Sequence, residues 1–347
     1  MTELELLTIG RIGVDLYAEQ LGVPLAEVRS FRKSVGGTAT NVAVAAARLG
    51  HRTAVFTRVG DDAFGRYVRT ALSDTFNVDV RFVGTDAALR TPLAFAELQV
   101  PEDPTIIFYR EPKAPDMNIV PDDVDLDVVR EVPILWFPAA CLSQEPSRST
   151  IHALLQTRDR LQHTIFDLDW RPHFWSGAAA AAKEIDAVLH HVTMAIGNRT
   201  ECEIAVGATD PEVAAERLLA RGLLAAIVKM GGDGVLVATA DGIRERIDPY
   251  PVDVMCGLGA GDAFGGALCH GLLSGWSLAN AARAGNAAGA IVASRLMCAD
   301  DMPTIEDIEE LLGPASVSAQ TPAFDVCADT ETAGPVGSAQ GAEHADH

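Results

Sequence analysis

The sequence predicts an α/β fold, a mostly parallel sheet flanked by helices with a small β appendage. Three observations predict it. Short β-branched runs alternate with alanine-rich helical stretches, the pattern of successive βαβ units. The chain has 347 residues, 48% of them hydrophobic, enough for one large core with a smaller addition. Two stretches break the rhythm of strand and helix, and these supply the appendage.

Taken in order, the run L-L-T-I-G at 6–10 opens the sheet, and further strands are expected over 53–59, 134–137, 164–168, 194–197, 225–229 and 234–238. Helices are expected between them, over 40–49, 62–74, 147–160, 211–221, 263–274 and 278–295, where apolar residues recur at helical spacing. The segments 16–34 and 93–108 read instead as extra strands, the second through its alternating A-F-A-E-L-Q and T-I-I-F runs. They form either a small lid over a site or an antiparallel extension of the main sheet. From 313 to 347 the chain holds five acidic residues, no Lys or Arg and no periodicity, which predicts a disordered acidic tail.

Composition narrows function. A formal charge of -21 repels phosphate backbones, so nucleic acid is excluded as a partner. Glu3 and Glu5 stand where a signal peptide needs positive charge, and no apolar run approaches the roughly 20 residues that span a bilayer, so a cytoplasmic protein without a membrane partner is expected. Six cysteines lie scattered without a C-x-x-C pair, which argues against zinc and against a disulfide framework.

The strongest chemical signal is the turn Gly257-Leu258-Gly259-Ala260-Gly261-Asp262, which runs into an apolar helix. Glycines aim successive amides at one point and a helix N-terminus adds positive potential, a combination suited to a phosphoryl group in transfer. Asp262 at its mouth could take the proton of an attacking hydroxyl, or it could simply cap the helix. Upstream, Gly36-Gly37 precede a helix whose first turns carry Asn41, able both to donate to and to accept from sugar hydroxyls.

Gly36-Gly37 with Asn41, Val59-Gly60-Asp61-Asp62-Ala63-Phe64-Gly65, Asn198-Arg199-Thr200-Glu201, Gly231-Gly232-Asp233-Gly234 and Gly259-Ala260-Gly261-Asp262 follow one another across residues 10–312. In that order they resemble the ribokinase-like (PfkB) carbohydrate kinase family. The resemblance implies a three-layer α/β/α kinase domain over 1–312, with lid segments at about 16–34 and 89–119. It implies Asp262 as catalytic base beside an anion hole of the Gly259, Ala260 and Gly261 amides, and Asp15, Gly36, Gly37 and Asn41 as acceptor-binding residues. Lys229, Gly231, Gly234 and Asn286 would lie against ATP, while Asn198 and Glu201 would hold Mg2+ largely through water. A homodimer through the lid is also implied.

One departure stands out. Cys256-Gly257-Leu258 replaces the Asp-Thr that the family often carries in a loop associated with a monovalent cation, so such a cation is left open. Arg110 and Arg171 follow strand-like runs, and an arginine fork suits a carboxylate, so together they point to a sugar acid as acceptor. Each could equally form an ion pair within the protein. A catalytically silent sugar or nucleotide-binding regulator is the alternative to an enzyme, and the intact Asp262, Asn198 and Glu201 speak against it.

Overall fold

A computed structural model describes residues 4–100 and 104–313; the expected tail lies outside the described residues. The main sheet contains β1 (Leu6–Ile9), β4 (Thr53–Gly60), β5 (Val83–Asp86), β8 (Ile134–Pro138), β9 (His163–Asp167), β10 (Met194–Asn198), β11 (Ala225–Lys229), β12 (Val235–Thr239) and β13 (Arg244–Ile247). Their spatial order is β13-β12-β11-β10-β9-β8-β1-β4-β5. All neighbours are parallel except β11–β12 and β12–β13. A separate sheet holds β2 (Gly13–Ala18), β3 (Phe31–Gly36), β6 (Leu93–Glu97) and β7 (Thr105–Tyr109) in the order β3-β2-β6-β7. The appendage is therefore a sheet of its own and not an extension of the main sheet.

Period-two alternation sorts the main strands into two apolar faces. Leu7, Leu135, Phe137, Phe166 and Val228 face one core, packed by α4 (Ser147–Arg158), α5 (Ala178–Leu189), α6 (Arg199–Val206) and α7 (Pro211–Leu219). Leu6, Trp136, Ile165, Ile196 and Ile227 face the other, packed by α1 (Thr38–Arg48), α8 (Ala260–Leu273) and α9 (Leu278–Ala293). The remaining helices are α2 (Ala63–Thr70), α3 (Leu126–Glu131) and α10 (Ile305–Leu312). None of the described helices is long and apolar enough to cross a membrane.

Differences from expectation have local causes. The edge strand β13, R-E-R-I, carries no apolar run, and β5, V-G-T-D, carries a glycine and an aspartate, so neither shows a strand pattern in the sequence. Residues 110–119, expected in the lid, pack on the main domain instead. Asp116 is fully buried and accepts the Ile12 amide, and Ile119 lies in the core beneath β4.

Glycines set how closely α1, α8 and α9 meet. A Cβ at Gly266 would lie 2.2 Å from the Ala45 Cβ, and one at Gly271 would lie 2.6 Å from the Ala281 Cβ. Both obstacles are attached directly to helix backbone, so the helices themselves must separate. Gly266→Ala is therefore expected to cost about 1–3 kcal/mol of unfolding free energy, measured by urea denaturation. An unchanged midpoint would show that the interface can spread without loss.

Candidate active site

Open parallel sheets present ligand-binding residues beyond the carboxyl ends of their strands, at the point where the strand order reverses. Here β1 lies between β4 and β8, and Arg11 and Asp15 follow it. Asp169 and Arg171 follow β9, while Asn198 and Lys229 end β10 and β11. The α8 turn reaches the same edge.

Two cavities meet at that turn. One is narrow, about 60 Å³, polar, and lined by Arg11, Asp15, Asn41, Arg171, Gly259 and Asp262, with Ile106 and Phe108 of the lid strand β7 over it. The other, about 650 Å³ and mainly apolar, is lined by Lys229, Gly231, Gly234, Tyr250, Ala260 and Asn286. Gly259 takes φ +80°, and a Cβ there would come within 2.4 Å of the Cys298 Sγ. No side chain caps the first amides of α8, so they remain available to an anion. A Cβ at Gly261 would stand 3.2 Å from the Lys229 Nζ, which brings an ammonium beside these amides. Burial opposes the Lys229 charge, but Asp167, Glu201 and Asp262 outweigh it and raise its pKa.

Asp262 does not cap α8. Its Oδ2 accepts the Asn41 Nδ2–H at 2.7 Å, and burial raises its pKa to about 6 even though that bond pulls the other way. The Asn41 Oδ1 is buried without a partner among the described residues. Asp15, also raised to about 6 by burial, accepts the Tyr17 hydroxyl at 3.3 Å. Packing explains the glycine pair. A Cβ at Gly36 would fall 2.0 Å from the Asp15 carboxylate, and one at Gly37, at φ +103°, would fall 2.3 Å from the Arg11 carbonyl oxygen.

The two candidate arginines part company. Arg171 lines the polar cavity, its Nε 2.9 Å from the Asp169 Oδ1 without the alignment of a hydrogen bond. Arg110 does not line that cavity. Its two terminal nitrogens clasp the buried Asp116 at 2.6 and 3.1 Å, and it borders a small adjoining recess and a separate cavity of about 670 Å³ beside β7. The carboxylate expected from a ligand is supplied by the protein six residues on. Arg11 takes its place in the cavity, and its Nη2 donates to Asp169 at 2.9 Å and to Thr38 at 2.6 Å. Burial pushes the Asp169 carboxyl up, but Arg171 and Arg11 outweigh it and hold it low, whereas Asp167 next to it is raised by burial. Sequence reasoning assigned no role to Arg11 or Thr38, and considered Asp169 only as a counter-ion of Arg171.

Asn198 and Glu201 form a reciprocal cap at the start of α6. The Asn198 amide donates to the Glu201 Oε2 at 2.7 Å, and the Glu201 amide donates to the Asn198 Oδ1 at 2.9 Å. The N-x-x-E spacing thus has a folding reason of its own. Among the described residues, no group of three His, Cys, Asp or Glu is placed to enclose a metal. On the far side of the turn, Asn286 Nδ2 donates to the Asp248 carbonyl at 2.8 Å and edges the apolar cavity.

A fold with its ligand edge at the strand ends, and one helix terminus shared by a polar and an apolar cavity, suits an enzyme that transfers a group between two ligands. The chain belongs to the pfkB family of carbohydrate kinases, whose model matches residues 3–305. The 5-dehydro-2-deoxygluconokinase of Bacillus thuringiensis (strain Al Hakam) is 32% identical over 319 residues, covering 90% of this chain and 96% of that enzyme. The runs Y-R-E-P-K-A-P-D-M-N-I at 109–119 and D-L-D-W-R-P at 167–172 resemble that branch of the family. A sugar kinase of Pyrococcus horikoshii, solved with ATP, is 25% identical over 90% of this chain and 98% of its own, with a TM-score of 0.73. An Escherichia coli protein proposed to be ribokinase II, solved with ATP and Mg2+, shares the fold at 22% identity, 89% and 99% coverage and a TM-score of 0.80. The protein is thus a sugar kinase by family.

Glu201 tests the double use of its motif. Glutamine keeps an acceptor for the Asn198 amide, so Glu201→Gln should leave the urea midpoint near wild type. It removes a negative charge beside Lys229, so the Mg2+ concentration that gives half-maximal turnover should rise severalfold. An unchanged Mg2+ titration would leave the pair with capping alone.

Proposed function

We propose that the protein transfers the γ-phosphoryl group of ATP to a hydroxyl of a sugar acid, with Asp262 as general base. One observation carries this reading: the uncapped first turn of α8 belongs to both cavities, Gly259 and Asp262 lining the polar one and Ala260 and Gly261 the apolar one. An acceptor held by Asp15 and Asn41 then meets a phosphate held by the α8 amides and Lys229. The apolar cavity, with Tyr250, Gly231, Gly234 and Asn286, suits the adenine end. The acceptor hydroxyl loses its proton to Asp262 as its oxygen bonds to the γ-phosphorus, and the bond to the bridging oxygen breaks to release ADP. Asn41 orients the carboxylate through its Oδ2 and leaves Oδ1 to take the proton.

Glu201 and Asn198 would hold Mg2+, largely through water. One carboxylate fits an ion that keeps several waters and takes its other ligands from phosphates, and when bound it neutralises phosphate charge. The monovalent-cation loop fits poorly. Burial keeps the Cys256 thiol protonated, and the Ala293 carbonyl already accepts the Met255 and Cys256 amides at 2.8 and 3.1 Å. A monovalent cation would therefore have to rest on main-chain carbonyls, which need no particular side chain, and a fructokinase of Vibrio cholerae solved with a potassium ion keeps that role open. In the lid, β7 turns Ile106 and Phe108 toward the cavity and leaves Ile107 and Tyr109 38% and 62% exposed, which supports a homodimer through the lid.

The acceptor proposed is 5-dehydro-2-deoxygluconate, phosphorylated at its 6-hydroxyl in inositol catabolism, with 2-keto-3-deoxygluconate as the alternative. The relatives' name and the two arginines that line the polar cavity support it. The deciding experiment is a coupled ADP-release assay over both sugar acids, fructose and ribose. Arg171→Met should lower kcat/KM for the acids about 10-fold to 150-fold more than for fructose, the worth of a charge-assisted contact. Equal losses across all acceptors would reduce Arg171 to a counter-ion of Asp169.

The base has a pH signature. Asp262 must be ionised to accept a proton, and burial raises its pKa to about 6, so kcat/KM should fall as pH drops through about 6. Asp262→Asn should cut turnover roughly 10²-fold to 10⁴-fold while ATP still binds. A loss under about tenfold in a folded variant would remove Asp262 as the base.

A further inference from the structure

Two buried arginines invite comparison. Arg158 is fully buried and every part of its guanidinium is satisfied, by Thr164 and by the carbonyls of Val129, Pro133 and His163. It lines no cavity described above, and its role is structural. Arg11 is 5% exposed yet lines the polar cavity, and its Nε is buried without a hydrogen-bond partner among the described residues. A buried donor left unpaired is costly, so such a group is kept where something else arrives to meet it. Its Cζ lies 5.2 Å from the Phe174 ring centroid and 5.9 Å from that of Phe108 on the lid strand, so aromatic faces hold the guanidinium and exclude water.

The charges point the same way. Arg11 and Arg171 share a single carboxylate, Asp169, at 2.9 Å each. Asp15 and Asp262 line the same cavity with Asn41, where hydroxyls are to be met. The lining thus combines guanidinium groups that suit an anion with carboxylates and an amide that suit hydroxyl groups. Arg110 cannot serve the anion, because Asp116 occupies its fork.

We infer that Arg11 is a specificity-determining residue which, paired with Arg171 across Asp169, receives the carboxylate of the acceptor. Asp169 is the counter-ion that holds both guanidiniums in place before the acceptor arrives. Phe108 adds a link to the lid: with β7 down, the ion pair between acceptor and Arg11 is shielded from water and strengthened. This inference rests on the sugar-acid reading above and names the residue that enforces it.

The test uses the full-length protein with Arg11→Met and Arg11→Lys, assayed with 5-dehydro-2-deoxygluconate and with fructose at saturating ATP and Mg2+. Melting temperature and calorimetric binding of the sugar acid without ATP are measured alongside. Arg11→Met should raise the KM for the acid about 10-fold to 150-fold and lower the acid-to-fructose ratio of kcat/KM at least about tenfold. Arg11→Lys keeps a cation against Asp169 and so guards against misfolding. It should melt near wild type yet recover only part of the acid affinity, because an ammonium lacks the planar fork. Equal losses for acid and neutral acceptors in the lysine variant, or an acid KM within about twofold of wild type, would overturn the assignment and leave Arg11 as a structural partner of Asp169. Wild-type protein that does not favour acids over fructose fails the sugar-acid reading itself, a result seen before any variant is made.

Discussion

Helices α1, α8 and α9 approach so closely that glycine is the residue that fits at their contacts, and the reactive end of the molecule depends on that approach. Gly266 lies on Ala45, Gly271 on Ala281, and Gly285 against the Phe264 ring. Gly289 on α9 faces the Ala260 carbonyl, where a Cβ would stand 2.9 Å away. The first turn of α8 is therefore held by backbone contacts and not by a capping side chain. That leaves its amides for a ligand, and it fixes Asp262 at the border of two cavities. A bulkier interface would move the turn and the proposed base together.

A kinase of charge -21 needs local positive potential where a phosphate is to sit, and it is concentrated at a few points. Lys229, half-buried near Asp167, Glu201 and Asp262, keeps its proton because those carboxylates outweigh the cost of desolvation. Burial raises Asp15 and Asp262 to about 6. For Asp262 as the proposed base this has a use: a carboxylate pushed toward neutrality is a stronger proton acceptor than an exposed one, and it is still ionised at neutral pH. Asp169 runs the other way, held low by two guanidiniums, so it acts as a fixed anion. Neighbouring carboxylates thereby acquire different duties from their surroundings alone.

Much of this was legible from the chain. The strand and helix alternation predicted the sheet to within a residue or two at most elements, because burial on both faces demands apolar runs that a sequence displays. The polar edge strand β13 was missed for the converse reason, since an edge leaves nothing to pattern. The N-x-x-E motif was visible, but its cap was not read, although a reciprocal cap is a local feature that the spacing itself announces.

What the sequence determined by itself was the part that local chemistry dictates. A glycine-rich turn before an apolar run starts a helix, and an aspartate three residues after Gly259 stands in its first turn, while the structure decided that this aspartate leaves the amides uncapped. What only the tertiary structure decided was which arginine meets the cavity. Arg110 and Arg171 looked alike in the sequence, and Arg11 looked like neither. Arg110 is absorbed by Asp116, six residues away, on a segment that folded onto the main domain and not into the lid. Arg11 reaches Asp169 across 158 positions of chain, brought there because β1 and β9 both flank β8 and end at the same edge of the sheet. A charged side chain takes whichever counter-charge the packing brings within a few ångströms, and sequence separation carries no record of that distance.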